Sequence, residues 1–431
     1  MPFSTDRNKT ELKLVVAAPP GWKYAPGDTI IGDLVRPEPI ITPEATVSLA
    51  LMSSIRTNLE ESASRKASSN SNGNRNDHKL NGNYPAEWHL LNPKPITLFS
   101  GPLHVPKNSD EAATWPFSIQ IPTKPQDSVR LGHRQESSFI PLDRNHPAHN
   151  ILPGSFSTGG ESKDGFSECC IEYYLEAKLR YTRGNAWQSF TTTHPITIRH
   201  HVQETSLLYS LQQQMMKSKI RTPRLIPGME NVDLSMKQKM FRFFGSSKIP
   251  EFCCKLELSF PRAIQLGGPL PIPLILNITP EDEKTSESIR GVSRQVRINW
   301  IKMMICNKSA VLVPSRLTSA HYSSTHCRQE HSSTTSLRLE SIFEKLESPC
   351  VISTGKDSQP INFGHMFQLV LHPHGLTYGK ELIQRVPTIY PDFTTYAVKH
   401  SHMVTWAVCL SVAGEMQTVE TIAEIKLVAD S

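Results

Sequence analysis

The feature that most constrains this chain is a repeated pattern of short, strand-like apolar segments, each bounded by turn residues. The first series covers residues 11–17, 29–35, 46–55, 115–121, 170–181 and 194–202. After a break, the second series covers residues 255–260, 270–278, 294–304, 365–371, 401–412 and 420–428. Many short strands punctuated by turns are typical of β-sandwiches. The pattern therefore predicts an all-β protein with two β-sandwich domains.

The composition supports this class and places the domain boundaries. Pro outnumbers Gly by 33 to 22, which suits strand edges and chain reversals better than long helices. We predict an N-terminal sandwich over 1–202, a linker over 203–252 and a C-terminal sandwich over 253–431. Three polar segments interrupt the strands: a disordered insertion at 58–83, a long polar connection at 124–150 and a Ser/His-rich loop at 315–336. Within the insertion, Ser68 follows two bases and is a candidate phosphorylation site, although a plain solvated loop remains the alternative.

The linker is basic and carries helix-like spacing. Apolar residues over 203–219 predict a short helix, and residues 233–245 predict a second one. The linker contains eight bases and two acids between 217 and 248, an excess of six that equals the excess of the whole chain. The candidate partner- or lipid-binding residues are Lys217, Lys219, Arg221, Arg224, Lys237, Lys239, Arg242, Phe243, Phe244 and Lys248. They suit acidic lipids or a phosphorylated peptide, and a solvated linker is the third interpretation.

The remaining charge and the cysteines indicate the compartment. Outside the linker the chain is nearly charge-balanced, which argues against nucleic-acid binding. Charged residues lie where a secretion signal would need an apolar core, and the longest apolar stretches fall short of the roughly 18–20 residues that span a bilayer. The eight cysteines include no Cys-x-x-Cys spacing. We therefore expect a soluble cytoplasmic protein with reduced thiols.

No common catalytic motif is found in the sequence, and we expect neither enzymatic activity nor a cofactor. The chain contains no Gly-x-Ser-x-Gly elbow, no phosphate-binding loop and no His-Glu-x-x-His. His321, His326, Cys327 and His331 cluster within the Ser/His-rich loop, and these residue types can bind zinc. The cluster lacks the paired cysteine spacing of structural zinc sites, so a surface loop is the favoured interpretation and no metal ligand is assigned.

Several blocks of sequence occur in an order that resembles the arrestin family, most similar to fungal alpha-arrestin-like proteins. The N-terminal blocks are Tyr-Ala-Pro-Gly-Asp at 24–28, Leu-Phe-Ser-Gly-Pro at 98–102, Trp-Pro-Phe-Ser-Ile-Gln-Ile-Pro at 115–122, Leu-Pro-Gly-Ser-Phe at 152–156 and Ile-Glu-Tyr-Tyr-Leu-Glu-Ala-Lys at 171–178. The C-terminal half resembles the family through Leu-Gly-Gly-Pro-Leu-Pro-Ile-Pro at 266–273 and the closing strands. The resemblance covers nearly the whole chain except the insertions.

The resemblance implies two arrestin-like, immunoglobulin-type sandwiches and a non-enzymatic adaptor. Such an adaptor binds cytoplasmic segments of membrane transporters or receptors and links them to ubiquitin-dependent endocytosis, trafficking or signalling. It implies a cytoplasmic protein recruited peripherally to the plasma membrane or endosomes. Many fungal members recruit a HECT-type ubiquitin ligase through Pro-Pro-x-Tyr, but here Pro19-Pro20 is followed by Gly21-Trp22. Recruitment of the ligase would therefore be indirect. A retromer-like sorting subunit and a ligand- or metal-binding sandwich are the alternatives.

Overall fold

The structure is a computed structural model, and it describes most of the chain. The described residues are 12–61, 83–106, 112–126, 138–141, 143, 146–162, 165–201, 206–229, 249–314, 326–355 and 358–429. Strands dominate, helices are few and short, and the sheets are mainly antiparallel. The prediction of an all-β sandwich fold is confirmed.

The strands are numbered in chain order. The first nine are β1 Lys13–Val16, β2 Thr29–Arg36, β3 Ile40–Glu61, β4 Asn83–Trp88, β5 Ile96–Val105, β6 Ala113–Gln120, β7 Phe156–Ser162, β8 Gly165–Arg183 and β9 Ala186–Ile196. The next seven are β10 Leu211–Arg221, β11 Glu251–Pro261, β12 Ala263–Gln265, β13 Ile275–Pro280, β14 Gln295–Pro314, β15 His326–Ser336 and β16 Cys350–Ser353. The last seven are β17 Ile361–Asn362, β18 Leu369–His372, β19 Gly375–Tyr378, β20 Glu381–Leu382, β21 Phe393–Thr394, β22 Val398–Val412 and β23 Glu415–Val428. The helices are α1 Glu340–Phe343 and α2 Phe363–Met366, with 3-10 turns at Pro147–Asn150, Ser206–Tyr209, Pro223–Leu225 and Glu287–Ile289.

The chain divides into two compact units. The first comprises Met1–His201, Ser309–His331 and Phe393–Lys399. The second comprises Val202–Lys308, Ser332–Asp392 and His400–Ser431. Each unit therefore includes segments that are distant in sequence.

The first unit buries one face of each of two sheets. One sheet has the strand order β1-β2-β6, and the other has the order β4-β3-β8-β7, with β5 also on β3 and β9 also on β8. Strand β8 alternates between buried and accessible side chains along most of its length, and Leu175, Ala177 and Leu179 lie in the core. This period of two is the geometry of a half-buried strand, so the alternation in the sequence is sufficient to specify the element.

The second unit is built around a continuous apolar core. A four-stranded sheet has the order β10-β11-β13-β17, a second sheet contains β12-β23-β22-β14, and β18, β19 and β20 form a small third sheet. Trp406 of β22 and Phe260 of β11 are buried at the centre, with ring centroids 5.5 Å apart. Aromatic pairs at this separation add to the stabilisation that burial itself supplies.

The helix predicted over 203–219 is wrong. A 3-10 turn occupies Ser206–Tyr209, and Leu211–Arg221 is strand β10, paired antiparallel with β11. Met216, Ser218 and Ile220 are buried while the residues between them are accessible. The leucine and methionine spacing fits a period of two as well as a helical one, and pairing with β11 decides between them. Residues 211–221 are therefore part of the second unit's sheet.

Two loop predictions also require correction at their edges. The Ser/His-rich segment was expected to be a loop through residue 336, but His326–Ser336 is strand β15. The insertion was expected to begin at residue 58, but strand β3 continues to Glu61. Polar, threonine-rich sequence does not prevent strand formation when a neighbouring strand supplies hydrogen bonds. Residues 62–82, including Ser68, and the predicted helix at 233–245 lie outside the described residues.

Candidate functional site

Strand β10 positions three of the predicted site residues, Lys217, Lys219 and Arg221. It lies at the end of its sheet and presents Leu211, Met215, Lys217 and Lys219 on its accessible side. In the register with β11, Lys217 lies opposite Lys255 and Arg221 lies opposite Glu251. Directly opposite residues share one face of the sheet. We call Leu211, Met215, Lys217 and Lys219 the β10 surface.

One carboxylate reduces the positive charge of this region. Glu251 lies 2.8 Å from Nζ of Lys219 and 3.4 Å from Nε of Arg221. Lys217, by contrast, has no carboxylate within ion-pair distance among the residues that the structure describes. Exposed ion pairs add little stability. Glu251 therefore matters mainly for the local charge: it offsets part of the positive charge of Lys219 and Arg221 and leaves the charge of Lys217 unbalanced.

The free edge of β10 is covered at its basic end. Oε1 of Gln417, on β23, accepts hydrogen bonds from the backbone N–H of Lys219 at 3.0 Å and from Ser218 Oγ at 2.7 Å. Near the other end, Gln212 Nε2 donates to the carbonyl of Glu424 at 2.9 Å. Strand β10 therefore has accessible side chains, although part of its backbone edge is already hydrogen-bonded to Gln417.

Arg224 follows the end of β10 and is not part of the strand. It belongs to the 3-10 turn Pro223–Leu225, and a Cβ placed on Gly414 would lie 3.1 Å from its Nη1. Nη2 of the buried Arg294 donates to the carbonyl of Leu225 at 2.5 Å and fixes the same turn. The other six predicted linker residues, Lys237, Lys239, Arg242, Phe243, Phe244 and Lys248, lie outside the described residues.

An apolar groove of about 320 Å³ lies beside the start of β10. Its walls come from Leu208 and Leu211, the end of β11, strand β12, the segment 268–273 and His365 of α2. Leu211 is 43% exposed and Leu270 is 65% exposed. Contiguous accessible apolar surface of this kind often marks an interaction site. We call this feature the β12 groove.

The proline-rich segment of this groove is visible in the sequence, where its apolar residues have the pattern of a strand. Residues 270–278 were predicted to form a strand, whereas β13 begins at Ile275. Prolines at 269, 271 and 273 have no N–H to donate and cannot belong to a sheet interior. The segment is held instead by the N–H of Ile272, which donates to the carbonyl of Leu369 at 2.7 Å. Leu270 is left accessible as a result.

The histidine cluster is only partly described. His331 of β15 is buried, with Nδ1 2.7 Å from Ser167 Oγ and Nε2 3.1 Å from Thr158 Oγ1. Burial lowers the pKa of His331. Both ring nitrogens are thus engaged with hydroxyls, which suits a neutral imidazole that joins three strands. His321 and the side chains of His326 and Cys327 lie outside the described residues. Within the described part of the chain, no group of three His, Cys, Asp or Glu residues could hold a metal ion.

A second buried histidine anchors backbone in the second unit. Nδ1 of His402 lies 2.6 Å from Oδ1 of Asp392, and the same oxygen accepts from the N–H of Leu427 at 3.0 Å. The ring of His400 packs against His402 with centroids 4.7 Å apart. A shared carboxylate oxygen of this kind connects β22 and β23 to the segment that precedes β21.

The cysteine pairs differ from each other. In the first pair Cys169 is buried and Cys170 is partly accessible, as strand alternation predicts; in the second, Cys253 and Cys254 are both buried. The N–H of Cys253 donates to Thr285 Oγ1 at 3.2 Å, so the segment after β13 covers this side of β11. All seven described cysteines are free thiols.

Cys254 is expected to resist alkylation while the chain is folded. Burial raises its pKa from about 9 to about 12, which lowers the thiolate fraction at pH 8 roughly a thousandfold. Iodoacetamide labelling followed by peptide mass spectrometry should find Cys254 unmodified in native protein and modified in urea. Equal labelling rates in the two states would contradict this prediction.

No helix in the described residues is long and apolar enough to cross a membrane. No protein-family model matches the chain, and no curated protein matches it.

Proposed function

We propose that this protein is a non-enzymatic, arrestin-like adaptor that binds cytoplasmic segments of membrane transporters or receptors. The observation that carries the proposal is the β10 surface, where exposed apolar and basic side chains lie together on the end strand of a sheet. Leu211 and Met215 supply the apolar part, and Lys217 supplies charge without a carboxylate partner among the described residues. A strand surface of this type can bind a partner without any catalytic group.

The chemistry of the surface suits the proposed partners. Apolar side chains lose water on contact, and this is the main favourable term in association. Lysines attract acidic or phosphorylated segments and anionic headgroups, and the strength of this attraction falls with salt. Arrestin-like adaptors link their cargo to ubiquitin-dependent endocytosis, and here a HECT-type ligase would join through another protein, since Pro-Pro-x-Tyr is missing from the sequence. We accordingly place the protein in the cytoplasm, with peripheral recruitment to the plasma membrane or endosomes.

Changing two residues of the β10 surface should abolish the capture of membrane proteins from cells. Met215 is 63% exposed, so Met215→Asp with Lys217→Glu should leave the core intact. The experiment is affinity capture of the tagged full chain from its own cells, followed by mass spectrometry. Wild type should recover transporters or receptors together with ubiquitination proteins, and the double variant should lose at least nine-tenths of that signal.

The matched control changes the same residue classes in the first unit. Ile41 is 77% exposed, and Lys178 is exposed on β8, so Ile41→Asp with Lys178→Glu alters hydropathy and charge by similar amounts. The control variant should capture the same membrane proteins as the wild type, in similar amounts. If neither wild type nor control captures membrane proteins, the adaptor proposal fails. Stable recovery of coat subunits in place of cargo would instead identify a sorting subunit.

A further inference from the structure

Strand β9 is an end strand of the larger sheet in the first unit. It pairs with β8 across the two-residue turn Gly184-Asn185, and among the described residues no strand pairs with its other side. Gly184 has a φ of +63°, while Asn185 is not in the left-handed region. Glycine in this position is typical of a type II′ hairpin. A two-residue hairpin of this kind fixes which backbone groups of β9 bond to β8.

The pairing leaves alternate residues of β9 with free backbone groups. Arg183 and Ala186 flank the turn and form a hydrogen-bonded pair, and bonded pairs alternate with non-bonded pairs along an antiparallel ladder. The residues that bond to β8 are therefore 186, 188, 190, 192 and 194. The free N–H and C=O groups on the other side belong to Trp187, Ser189, Thr191 and Thr193. They have no backbone partner in the described part of the chain.

The free edge of β9 is accessible over most of its length. Residues 186–189 are exposed in succession, and residues 191, 193 and 195 are exposed as well. Within the strand only Ile196, its last residue, is buried. The free edge of β10 is partly occupied by Gln417, whereas no described side chain is bonded to the backbone of β9. A partner strand can therefore reach this edge.

The edge also lacks the features that usually prevent strands from pairing. Natural end strands are protected by charged side chains, by proline or by a covering segment. Strand β9 contains no Asp, Glu, Lys or Arg, and its one proline is the next-to-last residue. The other end strands of this unit differ: β1, β4 and β7 carry Lys13, Glu87 and Glu161, and β5 and β6 contain Pro102 and Pro116 within the strand. An uncharged, uncovered edge of this length is a template for another strand.

The free residues are arranged symmetrically about Phe190. In an antiparallel pair of two β9 strands centred on Phe190, Trp187 lies opposite Thr193 of the second copy, and Ser189 lies opposite Thr191. Each of these pairs can exchange two hydrogen bonds. All four free residues are then used, and the proline lies outside the paired stretch. An aromatic residue opposite a β-branched one is also a favourable cross-strand pair.

We propose that two copies of this protein form a two-fold symmetric dimer by pairing their β9 strands antiparallel about Phe190. The second copy is the occupant because an identical strand matches the free residues in number and spacing and brings no charge that would be repelled. An interface in which the same patch is used on both copies closes at two copies. The dimer carries two β10 surfaces, so clustered partners would be bound with higher avidity than by a monomer.

Analytical ultracentrifugation of the full chain tests for the dimer. Wild type should show a reversible monomer–dimer equilibrium with a dissociation constant of about 1–100 μM, because one pair of strands is a small interface. Added salt should weaken it little, since the paired strands are uncharged. Amide hydrogen exchange in peptides that cover residues 186–194 should slow as the fraction of dimer rises.

Two double variants test the register. Ser189→Lys with Thr191→Lys places lysines opposite lysines, and Ser189→Glu with Thr191→Glu places glutamates opposite glutamates. Like charges in this position are destabilising, so each variant alone should dimerise at least tenfold more weakly than wild type. Because the two sets of charges are complementary, mixing the variants should restore a dimer that contains one copy of each.

The matched control introduces the same charges at the same spacing elsewhere in the first unit. Ser118 and Gln120 are exposed on β6, so Ser118→Lys with Gln120→Lys should dimerise as wild type does. Three results would overturn the inference: a wild type that stays monomeric throughout the concentration range, a lysine variant of β9 that dimerises normally, or complementary variants that do not associate when mixed. Slow exchange at residues 186–194 in a monomer would also overturn it, since another part of the chain would then cover β9. The adaptor proposal is judged separately, by capture through the β10 surface.

Discussion

Replacing Gly364 with alanine should destabilise the second unit by about 3 kcal/mol, the upper end of what overpacking a core usually costs. A Cβ at this position would lie 1.7 Å from the carbonyl oxygen of Ile272 and 2.9 Å from the backbone nitrogen of Leu274. Backbone atoms cannot move aside as a flexible side chain can. The N–H of Phe363 also donates to the carbonyl of Leu274 at 2.8 Å, so α2 is bonded to the very segment that the new methyl would displace.

Urea unfolding followed by circular dichroism measures this effect, and a second glycine provides the control. Gly291 has a φ of +71° and no atom within 4 Å of its ideal Cβ. Gly291→Ala should therefore cost only the strain of a left-handed backbone, about 1 kcal/mol. Similar destabilisation by the two substitutions would contradict the argument from close approach.

Acidification should destabilise the first unit through His200. Burial lowers the pKa of His200 from 6.5 to about 4, and the positive charge of Lys23 acts in the same direction. The ring packs on Phe393 with centroids 5.0 Å apart. Since the unfolded chain takes up the proton at a higher pH than the folded chain, stability is full above pH 6.5. It falls by about 3 kcal/mol as the pH drops to 4.

A substitution that cannot be protonated distinguishes the effect of His200 on stability from the effects of the other titrating groups. His200→Gln cannot gain the charge, so its free energy of unfolding should lose about 3 kcal/mol less than that of wild type between pH 7 and pH 4. Urea titrations at half-unit pH intervals measure the difference. The lowered pKa of His331 acts in the same direction in both proteins and cancels from the comparison. Identical pH profiles for the two proteins would rule out His200 as the responsible group.

The sequence was most informative where burial alternates along a strand. Strands β8 and β22 alternate along most of their length, and this local pattern alone specifies strand and core face. The same rule fails at 203–219, where the apolar residues fit both a helical period and a period of two. There the decision depends on pairing between residues 211–221 and 251–261, which local sequence does not encode.

The candidate sites were harder to predict for the same reason. Lys217 and Lys219 were identified from charge alone, but their position depends on the end strand of a sheet and on Glu251 as a neighbour. The β12 groove is assembled from segments as distant as Leu211 and His365. Its prolines were visible in the sequence, whereas the meeting of Leu208, Leu270 and His365 in one groove follows only from the tertiary fold.

The bonds from Gln417 to β10 have a consequence for behaviour at high concentration. An open strand edge is a template on which identical chains can aggregate. By occupying the N–H of Lys219, Gln417 blocks part of that template, and the lysines on the same strand repel a second copy. The protein can therefore display β10 side chains to partners with little risk of forming strand-to-strand polymers there.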